Sequence, residues 1–222
     1  MKLAIFDFDG TLLRVDTLPY MLRLWGEFGY SKMRKWRTYF SIIGLYMRYK
    51  LGLNGRMTRE QMKKTALQKF TKLFAGMTRA QVEIYFEQCT DKIMAQINKN
   101  VAAEVGKVKA QGYHTVILSG CYEKLLELVA EELGIDGVLG TKIRYFENDV
   151  ADVAYKMDIK TGVDKVNRIQ EAFPDADLKA SCAYADSISD LALLELVGLP
   201  VAVAPDVDLK AFIDGKDWRV ID

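Results

Sequence analysis

The chain opens with an unbroken apolar run, Leu3–Phe6, that stops at a charge, Asp7. A continuous rather than alternating run predicts a strand covered on both faces. The charges that follow must then lie at its carboxyl end, and Leu12 to Asp16 should turn over that end. Helical spacing takes over next. Asp16 or Thr17 as cap, with Pro19 in the first turn, starts a helix over 17–29 that stops at Gly29. Ser31 caps a second, running through Trp36, Phe40, Ile43 and Tyr46 to about Leu51, and Leu51 to Gly55 breaks it. Thr58-Arg-Glu-Gln61 has the spacing of a capping box and predicts a helix to about Phe74. A further helix runs from Thr78 to about Ile97, and a segment without an assigned element continues to Gln111.

From Gly112 the pattern is different. Tyr113–Leu118 is β-branched and apolar, a strand expected to end at Ser119-Gly120, with a helix over 121–133 stopped by Gly134. Val138-Leu139 reads as a short strand and 141–156 as a hairpin of alternating residues. A helix over 162–172, a strand over 180–184 ending at Ala185-Asp186, a helix over 188–196 and a strand over 199–204 complete the series. Strands alternating with helices imply an α/β fold with a doubly wound parallel sheet and right-handed crossovers. The run of helices inserted between its first two strands reads as a helical cap. The expected division is a catalytic core of 1–14 and 98–222 and a cap of 15–97.

Composition narrows the class. Half of the 222 residues are hydrophobic and 27% are charged, an ordinary globular balance, and four prolines without a low-complexity tract argue against long linkers. The net charge of +1 hides an asymmetry: residues 14–98 hold 16 Lys/Arg against 6 Asp/Glu, and the rest of the chain is correspondingly acidic. Solvated helix faces account for many of these charges, and the remainder favours an anionic partner for the basic unit. That partner is a substrate phosphate or an anionic membrane surface, and no nucleic acid partner is expected. The three cysteines have no paired or zinc-binding spacing, which points to a reducing cytoplasm. The single histidine, His114, falls at the start of a strand, away from Cys121, and reads as structural; this disfavours Ser-His-Asp and Cys-His catalysis. With acids from position 7 no signal peptide is expected, and the charge-free stretch Thr38–Met47 is too short to span a membrane.

The chemistry concentrates at Asp7-Phe8-Asp9-Gly10-Thr11. Alternate residues put Asp7 and Asp9 on one side of the chain, so they require a cation, a shared proton or both. A calcium loop is excluded, since Leu12 and Leu18 stand where it needs Gly and Glu. An apolar strand ending in Asp-x-Asp-Gly-Thr resembles the first motif of the haloacid dehalogenase-like (HAD) superfamily, mostly phosphatases with an aspartate nucleophile. Ser119-Gly120 resembles its second motif, Lys165 in Gly162-Val-Asp-Lys its third, and Asp186 and Asp190 in Ala185-Asp-Ser-Ile-Ser-Asp its fourth. The resemblance implies a Rossmann-like core and a Mg²⁺-dependent phosphomonoesterase acting through an aspartyl-phosphate. Asp7 would be nucleophile and Asp9 general acid and base. Thr11, Ser119, Gly120 and Lys165 would bind phosphate, with Lys160 as rival lysine. Asp7, Asp9, Asp186 and Asp190 would be the metal set.

The fourth motif and the tail Pro205-Asp206…Leu209…Trp218-Arg-Val look like the phosphoserine phosphatase-like subfamily. Serine-specific relatives carry Ser where this chain has Gly10, Glu where it has Asp16, and Gly, Gly and Asn where it has Ala185, Ser187 and Ser189. Asp16 is therefore the candidate specificity residue, and a small phosphorylated metabolite the expected substrate. Two readings meet at Lys32–Lys50, where Trp36, Tyr39, Phe40, Tyr46 and Tyr49 mix with Arg34, Lys35, Arg37, Arg48 and Lys50. One is an interfacial surface for a lipid phosphate, as in bacterial lipid phosphatases of this subfamily with apolar caps. The favoured one packs these aromatics against neighbouring helices. Phosphotransfer to another acceptor and a non-catalytic phosphate-binding module are the remaining alternatives.

Overall fold

The computed structural model describes residues 1–52, 57–159 and 162–222. Part of the expected break after Leu51 and the rival lysine Lys160 lie outside them. Strand β1 (Leu3–Phe6) is buried along its whole length. It pairs in parallel with β2 (His114–Tyr122) on one side and β4 (Cys182–Ala185) on the other. With β3 (Gly137–Thr141), β5 (Leu199–Val203) and β6 (Arg219–Ile221) the sheet order is β3-β2-β1-β4-β5-β6, parallel throughout.

The continuous apolar run of β1 has the expected cause. Ala4 and Phe6 belong to one buried cluster, Leu3 and Ile5 to a second on the opposite face. Helices α5 (Lys99–Ala110) and α6 (Glu123–Leu133) supply Val101, Val105, Leu125 and Val129 to the first. Helices α7 (Val163–Ala172), α8 (Leu191–Leu196) and α9 (Val207–Ile213) supply Ile169, Leu193 and Leu209 to the second.

Between β1 and β2 come α1 (Thr17–Glu27), α2 (Lys32–Lys50), α3 (Arg59–Thr71) and α4 (Arg79–Met94). Their starts follow local chemistry. Ser31 accepts from the Arg34 amide, and Thr58/Gln61 form a reciprocal capping box, as do Thr78/Gln81. The insertion leaves and returns at one place: the Arg14 amide donates to Gln96 (3.1 Å) and the Asn98 amide to Leu12 (2.8 Å). Its inner surface is an aromatic knot of Trp25, Phe74, Tyr85 and Phe86, and Phe74 and Phe86 pack on Tyr122 of β2 with ring centroids 5.7 and 5.3 Å apart. The first cluster therefore runs unbroken from sheet to insertion.

Four local expectations change. The unassigned segment is α5, capped by Asn98 and amphipathic through Val101, Val105 and Val108. β2 does not stop at Leu118. After a register shift, Tyr122 pairs with Thr141, so Ser119 and Gly120 lie inside the strand and not at a helix start. The 141–156 hairpin shrinks to one bridge, Tyr145 to Ala151, because Val150 also bridges to Thr78 at the start of the α4 box. The tail adds α9 and β6, held by Glu104 of α5, which accepts from Arg219 (2.5 Å), Lys107 (2.8 Å) and Tyr184 (3.4 Å).

Glu104 makes the stability of this fold acid-sensitive. The Arg219 hydrogen bond, with help from Lys107, brings its carboxyl down from 4.5 to about 2. A carboxyl depressed on folding contributes its full stability above its unfolded value and gives it up as pH falls through its folded value. Glu104→Gln is expected to lower the denaturation midpoint at neutral pH, with the gap to the wild type closing between pH 4.5 and about 2. Parallel pH profiles for the two chains in chemical denaturation would refute this role.

Candidate active site

The register of the three central strands assembles the site. Phe6 is level with Ile117 and with Tyr184, so Asp7, Ser119 and Asp186 all emerge just beyond the same edge. In an open parallel sheet this is the edge where crossovers leave a crevice. The Asp7 amide continues the ladder to the Tyr184 carbonyl at 2.9 Å, and residues 8–13 then fold into a tight loop closed by Gly10 to Leu13 (2.7 Å) and Leu13 to Phe8 (2.9 Å).

Gly10 is required in that loop for two reasons. Its φ of +81° is left-handed, and a Cβ there would overlap the carboxylate of Asp186. Thr11, expected among the phosphate-binding groups, instead directs its buried hydroxyl toward Asp186 Oδ1, 3.4 Å away. Asp186 is braced again at its carbonyl, which accepts from the Asp206 amide at 2.8 Å.

Asp7, Asp186 and Asp190 form the acidic centre, each offering a carboxylate oxygen within 4.8 Å of the others. Asp7 and Asp190 are buried, so their charge needs compensation. Lys165 provides it. It rises from the first turn of α7, itself buried, with Nζ 2.5 Å from Asp7 Oδ1 and 2.6 Å from Asp190 Oδ1. One buried ammonium is thus ion-paired to both carboxylates at once.

Ionisation follows from this crowding. Burial raises the Asp7 carboxyl, with Lys165 opposing it. Burial, then the charges of Asp7 and Asp190, push Asp186 up to about 7. Burial works against the charge of Lys165, but Asp190 and Asp7 outweigh it and hold the ammonium above its ordinary value.

The side chain of Asp9 stands outside the acidic group. Its Oδ1 accepts from both the amide (2.8 Å) and the hydroxyl of Thr17, the first residue of α1. Asp16, the N-cap by position, makes no capping bond with its side chain, so Asp9 caps α1 from a distance. Burial raises its carboxyl to about 6 against the pull of the Thr17 bonds. Ser119 accepts from the Cys121 amide at 3.2 Å, and Gly120 gives its carbonyl to the Thr141 hydroxyl at 2.8 Å. Asp16 is exposed and its charge reaches Asp9.

The sequence reading missed the neighbours of these residues. Thr17 was read only as a cap. Lys63 of α3 lowers both Asp7 and Asp186 by its charge. Arg59 of α3 reaches Ser187 (3.3 Å) and Asp206 (3.2 Å), and Asp206 also accepts from Ser187 at 2.9 Å. Only the +10 charge excess of residues 14–98 hinted at Lys63 and Arg59.

The profile of the haloacid dehalogenase-like hydrolases matches residues 4–195. A phosphoserine phosphatase of Mycobacterium tuberculosis is 26% identical over 99% of this chain and 70% of its own length. A histidinol-phosphatase of Neisseria meningitidis is 24% identical over 99% of this chain and 98% of its own. Among solved structures, a Bordetella pertussis protein of unknown function superposes with a TM-score of 0.79 at 21% identity, over 100% of this chain and 98% of that one.

Two glycines separate backbone strain from crowding at the site. Gly29 has φ +78° with open space around its Cβ position, whereas Gly10 faces Asp186. Each Ala substitution should cost at least about 1 kcal/mol of stability for the left-handed backbone. Gly29→Ala should keep full hydrolytic activity and Gly10→Ala should lose most of it. Equal activity in the two variants would show that the Gly10–Asp186 contact is unimportant.

Proposed function

The chain belongs to the haloacid dehalogenase-like hydrolase family, in its phosphoserine phosphatase-like branch, and is a phosphatase; from that premise we propose that it hydrolyses small phosphomonoesters through an aspartyl-phosphate on Asp7. The observation that carries this reading is the buried Asp7–Lys165–Asp190 group beside Asp186. Such a group sets a carboxylate at a strand end with compensating charge already in place.

A hard dication fits the same residues. The donors are all carboxylate oxygens, and three of these acids converge around a single buried ammonium, which leaves negative charge for a cation. Asp7, Asp186 and Asp190 would hold Mg²⁺. Asp9 was expected in this set, and its side chain is instead committed to Thr17. When bound, the ion neutralises phosphate oxygens and draws charge from phosphorus.

The chain's own residues would do the rest. An oxygen of Asp7 attacks phosphorus and the ester P–O bond breaks. Asp9, with a carboxyl raised to about 6, gives its proton to the departing alkoxide. A water then attacks the aspartyl-phosphate, Asp9 takes a proton from it, and phosphate leaves with Asp7 restored. Lys165 stabilises charge on the transferring group and opposes the rise that burial gives the Asp7 carboxyl. Ser119 and Gly120 line the same strand edge and are assigned to phosphate oxygens, although Gly120 lacks the helix-start position expected for it.

The insertion of 15–97 acts in this reading as the substrate-selecting cap. Relatives are named for phosphoserine and histidinol phosphate, which supports a small alkyl phosphate here. Asp16, a carboxylate at the start of α1 without a capping duty, is the candidate contact for a substrate amine. The unpaired, buried thiols of Cys89, Cys121 and Cys182 suit a reducing cytoplasm.

Hydrolysis of para-nitrophenyl phosphate should require added Mg²⁺ after chelation and should vanish in Asp7→Asn. Persistent turnover in that variant would remove Asp7 as nucleophile. Asp9→Asn should slow an alkyl phosphate by roughly 10²–10⁴-fold. Formation of the phosphoenzyme from para-nitrophenyl phosphate should fall much less, because nitrophenolate leaves without a proton. Equal losses in single-turnover bursts with the two substrates would exclude Asp9 as the acid.

A further inference from the structure

Helix α2 is built inside out. Met33, Trp36, Phe40, Ile43 and Met47 recur at three- and four-residue steps and form one stripe on its outer face, with Tyr39 and Tyr46 beside it. Trp36 is 54% exposed, Phe40 64% and Met47 51%. The inner face buries only Thr38 and Leu45. It is tied down by polar contacts, from Arg34 to the Leu73 carbonyl (3.2 Å) and from Lys69 to Ser41 (2.8 Å). A helix seated on a globular body normally shows the reverse, apolar inward and polar outward. The expectation that these aromatics pack on neighbouring helices therefore fails. Trp36, Tyr39 and Phe40 pack on one another, with centroids 5.6–5.7 Å apart, on the outside of the protein.

Charge identifies what this stripe faces. Lys32–Lys50 contains six Lys/Arg and no Asp/Glu. At 100° per residue the stripe together with Tyr39 and Tyr46 subtends about 140°, with Arg37 and Arg48 along one border and Lys32 and Lys50 at its two ends. A second copy of the chain would bring these cations against themselves, with no carboxylate on the helix to relieve them. An anionic bilayer matches both features: aromatic rings settle at headgroup depth, and long basic side chains reach lipid phosphates around them. Among the described residues no helix is long and apolar enough to cross a membrane, so the helix would lie in the surface plane. We infer that α2 docks this protein on anionic lipid bilayers through the Trp36–Phe40 stripe and its basic border. This docking does not depend on the hydrolytic reading of the acidic centre.

Flotation of the full chain with phosphatidylglycerol/phosphatidylcholine vesicles, against pure phosphatidylcholine, tests it. The wild type should float with the anionic vesicles only. Binding should weaken sharply on going from roughly 0.1 M to 1 M salt, where the screening length falls from about 10 Å to about 3 Å. Trp36→Glu/Phe40→Glu should abolish flotation, and Arg37→Ala/Arg48→Ala should weaken it roughly tenfold or more. Both variants change exposed residues, so their thermal melting and para-nitrophenyl phosphate hydrolysis should match the wild type. Failure of the wild type to float at low salt overturns the inference, as does undiminished flotation of the glutamate variant. A dimer in sedimentation equilibrium that the glutamate variant dissociates overturns it too, since a second copy would then own the stripe.

Discussion

One buried cation between carboxylates sets the terms for the rest of the molecule. Asp7 and Asp190 are both withdrawn from water, and Lys165 stands 2.5 and 2.6 Å from them. Deleting one member of such a group leaves an uncompensated buried charge, a cost of about 3–5 kcal/mol. Three segments far apart in sequence must therefore arrive together: the end of β1, the first turn of α7 and the loop after β4. The positive charge does not finish the job, since three carboxylates converge on one ammonium and Asp186 stays raised to about 7. The centre therefore keeps an excess of carboxylate over cation.

The insertion is joined to this centre by polar contacts above a shared apolar floor. Asp9 caps α1 through Thr17, so the carboxylate two residues after Asp7 is also the anchor of the first inserted helix. Arg59 reaches Asp206, and Lys64 meets Asp164 at 2.6 Å, next to Lys165 in sequence. Both pairs are partly exposed, and each is worth at most about 1 kcal/mol. The aromatic packing of Phe74 and Phe86 on Tyr122 is buried and carries the larger share of the attachment. Helix α2 buries only Thr38 and Leu45 and turns an apolar stripe outward.

The sheet order is a consequence of the same arrangement. With β1 in the middle, the crossovers on its two sides leave in opposite directions, and α5 and α6 cover one face while α7, α8 and α9 cover the other. Asp7 thus emerges where the chain diverges, at the crevice beyond the strand ends. Gly10 then lets the loop turn tightly enough for Asp186 to close against its backbone.

Periodicity and caps made most elements legible before any coordinates. The buried run of β1, the Ser31 cap, the Thr58–Gln61 box and the stop at Gly134 are local features, and local sterics and hydrogen bonds suffice to place them. The carboxylates, the serine and the lysine could be named because the short motifs that hold them resemble, in order, those of the haloacid dehalogenase-like family. What escaped depended on partners distant in the chain. β2 ran on to Tyr122 because Thr141 and an aromatic knot awaited it. Asp9 turned to Thr17, Thr11 to Asp186, and Glu104 to Arg219. The stripe on α2 was visible as a mixture of aromatic and basic residues, but its outward direction was not. A sequence shows which faces a helix has, and only packing against α1 and α3 decides which of them is left for something else to cover.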